Sequence, residues 1–462
     1  RYVFSNALTN NLASLERIID QNNNTTLLSY TDIRGVPLLS RVTDASGRSI
    51  VLTYGSVDDT VRWDKISTLT ENANPATPRV VTYTYNDAGN LTGVSDNRSY
   101  NGTTEQITRS FVYDANNRLT TYTDPRGTVL RNEYDADGRV VKQYELNPNV
   151  DTAGTDRLIY EFTYEGSHAN APGSTSCTLL RSYRTSSDSF TDRVCFNSVD
   201  LKIYHEDGAG NVERWTYNAD GMPTSHINQN NNTSSYAYDA RRRLVREILP
   251  DINDLHTEIS YTYEDGFNRL IEKKETVTAA AGGALIEERA TRYAIDPANG
   301  NVVSSTDPLG NTEQFAYGQY GNVFTHTDQK GSVTTYHYDA LGNYRIEESA
   351  SATLPDGASQ PVAQSHEYDV YGNKTKVISP RNAATRFEYD TKGNLRKTID
   401  PLGNIRLYTY DAEGHRITET DERGFETLYV YDKDIAGTLL TVQKTGDNGE
   451  VIQTSRTHNF IG

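Results

Sequence analysis

The chain has 462 residues, is only 35% hydrophobic and carries a formal net charge of −17. That acidity disfavours nucleic acid, whose phosphates need clustered Lys and Arg, and no apolar run approaches the ~18 residues of a membrane-spanning helix. With 32 Tyr against 11 Phe, 2 Trp and 1 Met, the apolar content suits half-wet surfaces better than dry cores.

Taken in chain order, the predicted elements are short strands separated by tight turns. The first signatures are "SRVTDASGRSIVLTY" (40–54) and "VVTYTYNDAGNLTGVSD" (80–96). Tyr113 and Tyr134 then stand 21 residues apart, as do Tyr217 and Tyr238. A weaker copy follows at "ISYTYEDGFNRLIE" (259–272). The clearest block is 305–344, where Asp307 and Asp328, Gly310 and Gly331, and Tyr317 and Tyr338 keep the 21-residue spacing. Tyr338 and Asp339 form its Tyr-Asp pair, and Tyr389–Asp390 and Tyr410–Asp411 repeat it before Tyr431. Asp400 and Asp421, and Gly403 and Gly424, are again 21 apart. Self-similarity at one period marks a repeat architecture.

Each unit reads as two strands and two turns. "RLYTYD" (406–411) alternates side chains as a two-faced strand does. The following Asp can hydrogen-bond the backbone two residues on, and Gly supplies positive φ. No helical period of comparable strength appears, so the predicted class is all-β. Residues 1–462 are read as one continuous spiral of antiparallel hairpins, with insertions at about 145–200, 274–292 and 349–365. Within the first insertion, Cys177 and Cys195 bracket a strand–turn–strand pattern. They are either a cross-hairpin disulfide, fitting an oxidising compartment, or two buried thiols.

About 30 to 40 strands at roughly 4.8 Å make a ribbon on the order of 170 Å wide. A compact globule of this length has a diameter of about 60 Å, so the ribbon must bend back on itself. One full turn would be roughly 55 Å across, wider than side chains can plug. A hollow shell lined by polar, Tyr and acidic groups is predicted, with a narrow Tyr-laddered solenoid as the alternative.

Chemistry-bearing patterns are weak. The pairs Asp58/Asp59 and Asp135/Asp137 are explained as turn residues without any acid–base cleft. "DADG" (135–138) lacks the closing Glu of a calcium loop, and "GAGN" (208–211) lacks the third Gly of a dinucleotide loop. The nine His are scattered with no metal-ligand spacing. No cofactor, metal or catalytic residue is expected. Tyr beside Asn and Asp offers stacking surfaces for surface glycans, and Asn97 and Asn101 begin glycosylation sequons.

The run Tyr-x-Tyr-Asp-x-x-Gly-(Asn/Arg)-Leu, seen in "YTYNDAGNL" (83–91) and "FEYDTKGNL" (387–395), together with "TDPLGN" (306–311), resembles the YD repeat of the Rhs family. That family includes bacterial polymorphic toxins, cocoon-forming components of Tc toxins, wall-associated proteins and teneurins. The resemblance covers nearly the whole chain and implies a β-spiral closing into a hollow, non-enzymatic shell. In toxin members the shell encloses a C-terminal effector polypeptide from the same larger chain, and the setting is secreted or cell-surface. An extracellular adhesion or carbohydrate-binding scaffold is the alternative. Toxin members also end the shell in a self-cleaving Asp-Pro-x-Gly-Leu segment. Both copies here, at 307–310 and 400–403, are followed by Asn, so Asp307 and Asp400 are expected to be turn residues. Arg1 is expected to begin a cleaved product or an excerpt, since neither an initiator Met nor a signal-like segment opens the sequence.

Overall fold

The computed structural model describes every residue except 10–11, 21, 72–77, 101–102, 126, 147–155, 186–187, 354–358, 370, 412–413, 432–438, 447–449 and 456–462. Asn101, the 147–155 part of the first insertion and the 354–358 tip of the last therefore lie outside the described residues. The described chain contains 37 strands of one sheet and no helix. No helix is therefore long and apolar enough to cross a membrane. Wherever a register is resolved, each strand pairs antiparallel with its immediate neighbours in sequence, as in the run from Ala384–Tyr389 to Glu426–Tyr431.

The two pairings of each repeat differ. Where the strand ends in the signature Tyr, the register slips by one residue beside the turn, as at Thr216/Tyr217, Glu388/Tyr389 and Thr409/Tyr410. The other pairing in the repeat, for example Leu395–Ile399 with Ile405–Tyr410, is regular. A bulge adds bend and right-handed twist. Placed once per repeat at the same turn, it makes successive increments of curvature add with one sign.

The alternation of Ile405–Tyr410 is typical. Arg406, Tyr408 and Tyr410 are half-buried on one face, and Ile405, Leu407 and Thr409 are exposed on the other. Little is enclosed between layers. Among the described residues only eight apolar side chains are buried, and the one buried cluster joins Ala171, Cys177, Cys195 and Tyr204. The accessible surface is 27328 Å². A compact monomer of 51.6 kDa exposes about 17,000 Å², and two separate compact halves about 21,000 Å². The excess is the signature of a wall wet on both faces.

Two compact units are formed. One holds Arg1–Val129, Tyr317–Thr325 and Val333–Gly462; the other holds Leu130–Ala316 and His326–Ser332. In the second unit, Cys177 and Cys195 face each other across Ser176–Thr185 and Asp188–Phe196 and are joined by a disulfide. Chain 166–175 brings Ala171 and His168 over that bond, with the His168 ring 6.0 Å from Tyr204. The described parts of the insertions are elongated hairpins of the same ribbon. Leu270–Thr278 and Leu285–Ile295 run 9 and 11 residues, against 5 and 6 for Leu395–Ile399 and Ile405–Tyr410.

In the first unit, two distant stretches of ribbon meet turn edge to turn edge. Asn24 Nδ2 donates to Tyr320 O at 3.0 Å, 296 residues away, and Asn22 lies against Gly321. Arg48 reaches the Tyr344 hydroxyl. Arg98 Nη1 donates to Lys392 O at 3.4 Å, 294 residues away. The chain passes through 23 strands between the members of each pair. An odd count is what such a seam requires, because it sets turns of opposite edges against each other.

Candidate functional site

The repeated turn is the unit from which any function must be built. At Asp400 the carboxylate Oδ1 accepts the Leu402 and Asn404 amides, each at 2.8 Å, and Oδ2 accepts Asn404 Nδ2 at 2.7 Å. The Gly403 amide donates to Asp400 O, and the Asp400 amide to Asn404 O, each at 3.0 Å. This is a type I turn closed by a left-handed residue, which Gly403 supplies at φ 89°. Asp307, Asp328, Asp390 and Asp421 repeat the carboxylate bonds at 2.8 to 3.0 Å. At Asp339 the loop is one residue longer, and its carboxylate accepts the Asn343 and Tyr344 amides. Asp411 accepts both the amide and Nδ1 of His415, at 2.9 Å each.

The preference for Asn or Arg after the left-handed residue now has a physical reason, since that side chain donates to the second carboxylate oxygen. Arg118, Arg139 and Arg243 do so at 2.7, 2.8 and 2.6 Å, and Asn311 and Asn394 at 2.8 and 3.0 Å. Side-chain bonds from Asn404 and Asn311 therefore hold the Asp400 and Asp307 carboxyls below the usual carboxylate range. Both acids are fully occupied as acceptors in exposed turns. Asp135 does the same work, accepting the Asp137 and Arg139 amides, and Asp59 accepts those of Val61 and Arg62.

The signature tyrosines link consecutive units. Tyr338, Tyr389 and Tyr410 each donate the hydroxyl to a carbonyl 15 residues back, on Val323, Lys374 and Leu395, at 3.0, 2.8 and 2.7 Å. Each of these carbonyls belongs to the first residue of the adjacent strand, just beyond the preceding Tyr-Asp or equivalent turn. Burial pushes these phenols above their ordinary range. At Tyr261, burial and the Glu247 carboxylate push the hydroxyl up to about 12. Tyr431 instead stacks on His415 at 5.0 Å.

Two further features escape sequence reasoning. The scattered histidines are partly gathered by the register: Glu213 lies 3.6 Å from His205 and 3.4 Å from His226, which stacks on Trp215 at 4.9 Å. The arrangement recurs with Glu313, His326 and Phe315. A Glu-x-aromatic segment followed by His eleven residues later is the signal that exposes it. Among the described residues no group of three or more His, Cys, Asp or Glu has metal-binding geometry. The other feature is Asp96, buried under a bidentate bond from Arg79 at 2.9 and 2.8 Å and one from Arg98 at 2.9 Å. Burial raises its pKa, but the two guanidinium groups outweigh it and hold the carboxyl low. Asp96 thereby aims Arg98 at the seam.

The turn, the tyrosine link and their period coincide with a family match. The RHS Repeat model fits residues 113–145, 217–251 and 389–427. These three stretches are RHS repeats. No match is found among curated proteins. Among solved structures the chain is similar to TcdB2-TccC3-TEV, at 13% identity and TM-score 0.37 over 99% of this chain and 28% of that one. It is also similar to TcdB2-TccC3, at 14% identity and TM-score 0.34 over 94% and 28%. The Tc holotoxin pore of Photorhabdus luminescens matches at 15% and 0.29, over 95% and 28%. The chain thus spans less than a third of the length of these three structures.

Proposed function

We propose that this RHS-repeat chain is a length of container wall whose role is to enclose and shield an effector polypeptide belonging to the same larger protein. The observation that carries the reading is the seam in the first unit, where three contacts recur after the same 23 strands. With eight buried apolar side chains described, the wall supplies little bulk of its own to fill an enclosed space.

Containment by such a wall is steric, and the RHS-repeat segment acts as a scaffold. The disulfide between Cys177 and Cys195 supports an oxidising, extracellular setting. Protease protection of the full-length protein tests the reading. Its effector segment should resist a nonspecific protease while the wall is intact and become sensitive once the wall is unfolded. Equal sensitivity in both states contradicts containment.

A further inference from the structure

The first unit buries one ionisable ring for which the turn and tyrosine bonds have no use. His366, in Ser359–Tyr368, is 5% exposed, and among the described residues no group hydrogen-bonds to either ring nitrogen. Two residues on, Tyr368 stacks on Tyr344 at 5.0 Å, and Tyr344 is the residue that Arg48 reaches across the seam. His366 therefore lies on the same strand face as the stack that presents the seam contact, one step along from Tyr368.

The charged groups facing the ring come from both neighbouring strands. Arg345–Thr353 contributes Arg345 and Glu348, and Lys374–Ile378 contributes Lys374. Glu348 is already paired with Arg345 at 3.4 Å, while Lys374 lies over the Tyr368 ring at 5.9 Å. On its own strand Glu367 points to the opposite face, where it pairs with Lys376 at 2.8 Å. A proton on His366 would thus add a third positive charge beside one carboxylate that is already committed, in a place where the imidazolium finds no acceptor.

We propose that His366 is an acid-sensitive release point, whose protonation loosens the three strands from Arg345 to Ile378 and frees the turn at Tyr344 from Arg48. Burial, then the Lys374 and Arg345 charges, hold its pKa below 6.5, with Glu348 opposing. A depressed histidine favours the folded state while neutral. That stability is complete above the unfolded value of about 6.5 and is lost as pH falls toward the folded value. The Asp turns, whose folded pKa values are also depressed, weaken only below about pH 4. The two windows do not overlap, so mild acid acts on His366 before it reaches the Asp turns. The device belongs to the first unit and does not depend on anything being enclosed.

Hydrogen–deuterium exchange on the intact chain at pH 7.5 and 5.5, corrected for intrinsic rates, tests it. Arg345–Thr353, Ser359–Tyr368 and Lys374–Ile378 should open more at pH 5.5, by a factor of up to about ten, while Ile405–Tyr410 stays unchanged. His366→Gln and His366→Met should abolish the difference between the two pH values, whatever their absolute stability. Equal protection of the three strands at both pH values overturns the proposal, as does an undiminished acid response in a folded His366→Met chain.

Discussion

Tyr410 and Gly403 show how little each residue contributes and how specifically. The Tyr410 hydroxyl holds the Leu395 carbonyl at 2.7 Å, so Tyr410→Phe keeps the ring and deletes one hydrogen bond. A loss of about 1 kcal/mol is expected, read as a lower urea midpoint with an unchanged slope. Gly403 has φ 89° and open space around its α-carbon. Gly403→Ala should therefore cost about 1 kcal/mol from backbone strain alone. Gly403→Asn should cost less, because Asn231 and Asn382 already occupy equivalent left-handed positions. At Gly300 an added methyl would meet the Phe267 ring at 2.5 Å, so Gly300→Ala should be the more damaging of the two alanine variants. Chemical denaturation of the three variants orders them directly.

At the scale of elements, the strands, both turn types and the 21-residue period were legible because each depends on local chemistry: alternation, an Asx-type carboxylate and a positive-φ glycine. Asp307 and Asp400 sit in such turns. The bulge beside each signature Tyr was not legible, since a one-residue slip leaves the alternation of both strands intact. The partners of Glu213 were hidden for a related reason, because only register brings His205 and His226 to it. Cys177 and Cys195 were placed opposite each other by the hairpin pattern, while their oxidation state stayed open until the strands were paired. Their bond closes a separation of 18 residues, worth about 3 kcal/mol in the chain-entropy account. The double variant Cys177→Ser/Cys195→Ser should melt earlier than the parent. Reductant should lower the parent's midpoint and leave the variant's unchanged.

At the scale of the whole molecule, the sequence gives the amount of ribbon and its polarity but not how many strands make a turn. That number follows from accumulated bulges and twist, and it surfaces only in contacts such as Asn24 with Tyr320 and Arg98 with Lys392. The claim on which the functional reading rests is that the wall encloses space that its own side chains leave open. Electron cryomicroscopy of the intact protein tests this most directly. A β-wall around a central space, with no density from residues 1–462 in its middle, is the predicted result. A section filled by this chain's own side chains, or a ribbon that never meets its earlier edge, contradicts it.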